Sequence, residues 1–427
     1  MLLLSALLYF LFTRLYPLLI GLAGLFSKKA RQWTRGRLHW SKKTKTQLNQ
    51  RKLKADTPRL WMHCASLGEF EQGKPILQLF KKRYPEAQVL LSFFSPSGFE
   101  LRKTELLADW VIYLPMDSPR HARQLLDFFK PNLVVFVKYE FWWYYLKEIR
   151  QRNIPLFLIA ARFRASQPFF KPFGKWYRRL LQNFTAIMVQ NQESEQLLRG
   201  IGYERVFRCG DPRIDRVLEL AEQKKDIPLL EQFSNKGQTP LLILGSTWPA
   251  DEKILLPWIN AHLPKGWKVL LAPHEIKQAH VKKLMRRIQW PTQSYTALNK
   301  EPLQQETRVL ILDTIGLLAS AYQYGRLAYI GGGFGKGIHN VLEPAAFGLP
   351  LLFGPHYKKF DEAVFWVERQ AAFAVRDLRD FEQTFNSLQD EARLQQAKKE
   401  LQLYLRQHKG AAACCVAKIE EHAKRFL

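Results

Sequence analysis

The chain has 427 residues, 47% of them hydrophobic and 13% aromatic, which excludes a disordered protein and supplies material for two cores of ordinary size. Its formal net charge is +27, which calls for an acidic partner. The basic residues are spread through strand and helix segments with no helix-turn-helix, RNP, KH or zinc-finger pattern, so an anionic membrane or substrate accounts for the excess better than nucleic acid.

Residues 1–26, "MLLLSALLYFLFTRLYPLLIGLAGLF", are apolar apart from Arg14 and a few small polar groups, long enough to cross a bilayer or lie deep in it. A signal peptide fits poorly, because no basic segment precedes the apolar run and no small-x-small cleavage site follows it. Arg14 is costly at mid-membrane, so a full span and an interfacial anchor both remain open. Between Lys28 and Lys54 there are many Lys and Arg residues and no Asp or Glu, which puts the main body on the cytoplasmic side against anionic headgroups.

From Arg59 short apolar runs alternate with amphipathic stretches. "RLWMHCAS", "VLLSFFS", "WVIYLP", "NLVVFVKYE", "IPLFLIAAR", "FTAIMVQ" and "RVFRCG" read as strands, with helix-like segments such as "GKPILQLFKKRY" and "RHARQLLDFFK" between them. A polar helical stretch follows Asp211, then a second series: "PLLILGST", "WKVLLAPH", "RVLILDT", "RLAYIGG", "LPLLFG" and "AAFAVRD". Such alternation predicts parallel sheets covered by helices on both faces. The predicted organisation is an anchor at 1–26, a first Rossmann-like domain at 27–215, a linker at 216–238, a second Rossmann-like domain at 239–395, and helices at 396–427 that could pack back on the first domain. Cys64, Cys209, Cys414 and Cys415 form no CxxC pair and no metal-ligand spacing, so neither zinc nor a disulfide is expected.

The stretch "GGGFGKGIHNVLEPAAFGLPLLFGPH" from Gly331 gathers glycines, His-Asn and Glu-Pro where a strand hands over to a helix. It matches neither the phosphate loop, since Lys336 is followed by Gly337, nor the G-x-G-x-x-G fingerprint. Backbone amides and a helix capped by Asn340 would attract an anion there; a plain tight turn is the competing reading.

Other strand ends carry polar clusters: "HCASLGEFEQG", "VKYEFW", "AARFR", "GDPRIDR", "GSTWPADE", "APHE" and "DTIGLL". With the N-terminal apolar segment, "ASLGE", "GST", "DT-x-G" and "GG…HN-x-LEPA…GP" in this order, the sequence resembles the 3-deoxy-manno-octulosonic acid (Kdo) transferases of lipopolysaccharide synthesis over almost its entire length. The resemblance implies an α/β GT-B fold, two Rossmann-like domains facing a central cleft, and inverting transfer of Kdo from CMP-Kdo to a lipid A precursor at the cytoplasmic face of the inner membrane. No cofactor, metal or nucleic-acid partner is expected, since no Asp-x-Asp motif is evident and backbone amides with a helix dipole can stand in for a metal. Alternatives are a UDP-sugar transferase acting on a lipid and a membrane-tethered nucleic-acid-binding protein.

Glu69 matches the family's catalytic position, where a carboxylate would take the proton of the acceptor hydroxyl; His63, Glu140 and Asp211 are the fallback bases. The leaving CMP carries negative charge, and Ser246, Thr247, Pro273, His274, Gly316, Gly332, Gly333, Asn340 and Glu343 are its candidate binders, with Glu343 on the ribose. Ser66, Lys138, Glu140, Arg162 and Arg213 are candidates for the acceptor or the Kdo carboxylate, surface ion pairs being the alternative for the charged members. The chain departs from the family pattern at Pro273-His274-Glu275, where Pro-Arg-His is usual, at Leu317 for Glu, at Gly333 for Ser and at Ile338 for Gly.

Overall fold

The computed structural model describes residues 2–54 and 56–426. The first series of apolar runs forms β1 (Arg59–Cys64), β2 (Gln88–Phe93), β3 (Trp110–Tyr113), β4 (Leu133–Val137), β5 (Leu156–Ala161), β6 (Ala186–Val189) and β7 (Val206–Arg208). They make one parallel sheet in the order β3-β2-β1-β4-β5-β6-β7. Every residue of β2, β4 and β5 is buried, because helices cover both faces and leave no side of these strands to water. Trp61, Phe136 and Tyr145 meet edge to face on one of those faces, each stabilising by roughly 1.5–3 kcal/mol through burial.

The second series forms β8 (Leu241–Thr247), β9 (Lys268–Pro273), β10 (Thr292–Ser294), β11 (Val309–Ile311), β12 (Leu327–Ile330), β13 (Leu351–Phe353) and β14 (Ala372–Ala374). This sheet is also parallel, ordered β10-β11-β9-β8-β12-β13-β14. The edge strand β10 lacks the apolar run that marks the others. The strand order turns between β1 and β4 in the first sheet and between β8 and β12 in the second, where β10 also lies outside β11 at the edge. Adjacent connections leave for opposite faces at such a point, which opens a crevice at the carboxyl ends of those strands.

One compact unit holds the chain up to Arg216 together with the stretch from His408 onward; the other is Val217–Gln407. The return of the C-terminus has a clear cause: Ala412, Cys415, Val416 and Ile419 on the helix Ala411–Ala423 are buried in the same cluster as Met62 and Cys64 of β1. Asp215 fixes that helix's start, its carboxylate accepting from the amides of Gly410 and Ala412 at 2.5 and 2.7 Å. The expectation of four free thiols is corrected here. Cys209, just past β7, and Cys414 are joined in a disulfide, while Cys64 and Cys415 stay buried as thiols. The pair is 205 residues apart in sequence and meets only because the last helix folds back.

The apolar segment forms the helix Leu2–Ala23, and Ser5–Ala23 is long and apolar enough to cross a membrane. It is docked along one face. The Tyr9 hydroxyl donates to buried Asp117 and accepts from the Trp143 amide at 3.0 Å, Thr13 is buried, and Tyr16 packs on Trp33 and Phe94. Leu8, Leu11, Leu15, Leu18 and Leu22 remain exposed.

Candidate functional site

The switch point of the first sheet is edged by the residues that follow β1 and β4. After β1, Ser66 takes extended backbone and caps the helix Leu67–Arg83, its Oγ accepting from the Gly68 amide at 3.3 Å. The same hydroxyl donates to Glu69, which lies half-buried in the first turn of the helix. After β4 the chain turns sharply at Lys138, which sits at φ 75° with its amide bonded to Ile159 O at 2.9 Å. Burial lowers the pKa of the Lys138 ammonium; Glu69 opposes this, Arg213 adds to it, and Asp211 and Arg162 act in opposite senses more weakly. Glu69, Arg162, Asp211 and Arg213 are therefore all within electrostatic reach of Lys138.

Two of the sequence candidates here are already engaged. Glu140 is buried and its Oε2 lies 2.9 Å from Nε2 of fully buried His63, while the Trp142 indole N–H donates to the same oxygen. His63 Nδ1 in turn lies 2.9 Å from Ser92 Oγ. Arg213 is folded onto Asp211, with Nε and Nη2 donating to Oδ2 at 2.8 and 2.6 Å. Glu69 differs from all of these: its carboxylate is held by a small hydroxyl at a strand's carboxyl end.

The switch point of the second sheet is edged by β8, β9 and β12. Ser246 sits at φ 55°, Thr247 is buried, and its carbonyl accepts from the His274 amide at 2.9 Å just past Pro273. Gly331 and Gly333 serve close packing of backbone on backbone. A Cβ on Gly331 would stand 2.2 Å from Ser246 O, and one on Gly333 would stand 2.5 Å from the Gly354 nitrogen, so no other residue fits. The amides are largely committed as well. Gly331 N donates to Gly245 O at 2.9 Å, and Gly332 N to Oδ2 of fully buried Asp251 at 2.9 Å. Asp251 also takes the Trp248 amide at 2.8 Å and the Tyr329 hydroxyl at 2.8 Å, tying the glycine loop to the start of the helix Pro249–His262.

The helix expected to be capped by Asn340 begins later, at Leu342, and is a single short turn, Leu342–Ala346. Gly348, in left-handed backbone at φ 72° just past Phe347, stops it after one turn. Asn340 still contacts it: Oδ1 accepts from the Leu342 amide at 3.1 Å, and Nδ2 donates to Glu343 Oε1 at 2.9 Å. Ser246, Thr247, Pro273, His274, Gly332, Gly333, Asn340 and Glu343 thus all belong to this switch point or the loop behind it. Gly316 is exposed at φ 92° in the loop after β11, the strand beyond β9.

Sequence reasoning noted His339 only as part of the His-Asn pair after the glycines, and missed Trp248. The Trp248 indole N–H donates to His339 Nε2 at 2.7 Å, their rings are parallel to within 6°, and the His274 ring stacks on both at centroid distances of 4.3 and 4.5 Å. Burial, and next the neighbouring His274, lower the pKa of His339. The available signal was a flat ring residue directly after β8 and another directly after β9, with His339 closing the glycine loop that follows β12.

Residues 33–216 match the family described as 3-Deoxy-D-manno-octulosonic-acid transferase (kdotransferase). A protein of Aquifex aeolicus (strain VF5) named 3-deoxy-D-manno-octulosonic acid transferase is 28% identical over 326 residues, 74% of this chain and 82% of that one. One of the same name in Chlamydophila psittaci (strain ATCC VR-125 / 6BC) is 29% identical over 309 residues, 70% of each chain. In three dimensions the chain is similar to a UDP-GlcNAc 2-epimerase of Neisseria meningitidis, with a TM-score of 0.62 at 14% identity over 85% of this chain and 100% of that one. It is also similar to a putative UDP-N-acetylglucosamine 2-epimerase of Listeria monocytogenes, with a TM-score of 0.59 at 12% identity over 86% and 97%. Likeness at that identity concerns the fold: two Rossmann-like units of the GT-B type.

Proposed function

We propose that this chain, which belongs to the 3-deoxy-D-manno-octulosonic acid transferase family, is a glycosyltransferase that moves Kdo from CMP-Kdo to a lipid A precursor in lipopolysaccharide biosynthesis. The observation that carries the reading is Glu69, a carboxylate at the β1 end that, among the described residues, no cation-bearing side chain clamps. Among the described residues its one hydrogen bond is from the Ser66 hydroxyl. An acceptor hydroxyl is a poor nucleophile until its proton is removed as the new bond forms, and Glu69 has the position and the freedom to receive it. The fallback bases are less suited, since His63 and Glu140 are buried against each other and Asp211 is bonded by Arg213. Attack with Glu69 as base, and no covalent intermediate on the protein, inverts the anomeric centre.

Lys138 and Arg162 supply positive charge beside Glu69 for the Kdo carboxylate or the phosphates of the lipid; Arg213 takes part only by exchanging Asp211 for a ligand. The CMP side of the donor falls to the second unit, where Ser246, Asn340 and Glu343 offer a hydroxyl, an amide and a carboxylate around the β8–β12 switch point. No metal is required by this scheme, which relies on hydrogen-bond donors for the leaving phosphate.

The helix Leu2–Ala23 holds the protein at the cytoplasmic face of the inner membrane. Its exposed leucines support burial in lipid, and the acid-free stretch between Lys28 and Lys54 supports anionic headgroups beside it. The test is incubation of the purified full chain with CMP-Kdo and a lipid A precursor, followed by mass analysis of the lipid. Addition of Kdo with release of CMP is the expected result. Transfer from a UDP-sugar and none from CMP-Kdo would overturn it.

A further inference from the structure

Trp248 and His339 fix each other's chemistry. An indole N–H can only donate, so its 2.7 Å bond to His339 Nε2 requires a lone pair on that nitrogen. An imidazolium has none. His339 is therefore neutral in this arrangement and carries its single proton on Nδ1. The local surroundings agree, since burial lowers its pKa and disfavours the charged form.

The rest of the cluster holds that ring still. The Trp248 and His339 rings are parallel to within 6°, and the His274 ring stacks on both. On the other side a Cβ at Gly332, where φ is 92°, would come within 3.1 Å of His339 Cδ2, so the glycine leaves the ring its space. Asp251 joins the Trp248 and Gly332 amides and keeps both flanks in register. Nδ1 makes no hydrogen bond among the described residues, and His339 is only half-buried. A rigid, neutral N–H donor is thus left without a partner between the glycine loop and Asn340, where the amides of Gly331 and Gly332 are already committed.

We propose that His339 is a positioning residue for the donor, held by Trp248 as the Nδ1-protonated tautomer so that this N–H donates to the phosphate of the nucleotide. The proposal rests on the reading of the second unit as the donor site. A fixed neutral donor suits a leaving phosphate because it stabilises the developing charge without transferring a proton.

The experiment measures CMP and cytidine binding to the full chain in detergent, since the difference between the two isolates the phosphate. His339→Ala should weaken CMP by roughly 10-fold or more, the scale of a hydrogen bond to a charged group, and leave cytidine within about twofold. His339→Asn presents an amide N–H near the Nδ1 position and should recover most of the loss. His339→Gln reaches toward Nε2 and should not. Trp248→Phe keeps the stack without the N–H and should weaken CMP several-fold, roughly. ¹⁵N shifts of the wild-type imidazole should show the proton on Nδ1. Equal losses for CMP and cytidine, rescue by Gln as full as by Asn, or a proton on Nε2 would each overturn the proposal. If wild type binds no CMP at all, the donor reading itself falls and the proposal with it, an outcome recognisable before any variant is made.

Discussion

Replacing Glu69 by Gln removes the proposed base and little else. The Gln carbonyl can still accept from Ser66 Oγ, and the cap from Ser66 to the Gly68 amide does not involve residue 69. What the fold loses is one negative charge in the first turn of a helix, worth about 0.3–1 kcal/mol at a solvated site, so the variant should fold. The change also withdraws the carboxylate that favours the charged form of Lys138, and that ammonium should titrate lower still. CMP affinity should not move, because Ser246, Asn340 and Glu343 belong to the other unit. The chemical step should slow by roughly 10²-fold or more, equivalent to about 2.7 kcal/mol of barrier at 1.36 kcal/mol per factor of ten. Single-turnover transfer at saturating CMP-Kdo, read by mass of the lipid, measures that step without the complication of product release. A rate within about threefold of wild type, with folding and CMP binding intact, would refute Glu69 as base even if Kdo is the sugar moved.

Asn340→Ala should act in the reverse sense: it removes the acceptor for the Leu342 amide and the donor to Glu343, so calorimetry should show weaker CMP binding before any change in the rate at saturation. Burial, opposed by bonds from Tyr9 and the Tyr144 and Tyr145 amides, pushes the Asp117 carboxyl up to about 6 from 3.8. A raised carboxyl binds more protons folded than unfolded, so its contribution is greatest below about pH 4 and is lost as pH rises toward 6; (6 − 3.8) × 1.36 gives about 3 kcal/mol, a slope in denaturant midpoints that Asp117→Asn should abolish. Thiol titration of the denatured, unreduced chain should find two thiols, Cys64 and Cys415, and four after reduction; four at the outset would refute the Cys209–Cys414 bond, which a reducing cytoplasm works against.

The strands were legible because parallel strands buried on both faces read as continuous apolar runs, and the alternation with helices carried the fold class. The strand β10 was not, since Thr292–Ser294 is polar and sits at an edge where one partner suffices. Site residues were legible by position, at strand ends, far better than by partner. Glu140 is a candidate because it matches the family's Lys-x-Glu, yet it is engaged by His63, 77 residues away. Arg213 had its partner two residues upstream in "GDPR", a spacing that could have been read as an internal ion pair. The glycines at 331–333 mark the strand end the sequence pointed to, and they also serve close packing that the sequence did not reveal. Their lack of Cβ lets β12 close on the Ser246 carbonyl and the loop close on Gly354, and that need appears only when the two sheet neighbours are in register. With the Gly331 and Gly332 amides engaged by Gly245 and Asp251, the loop offers fewer donors to a phosphate, and that moves weight toward the side chains of His339 and Asn340. A site built this way depends on ring orientation more than on backbone, so substitutions at Trp248, 91 residues from its partner, should disturb it more than most changes within the loop's exposed positions Gly335 and Lys336.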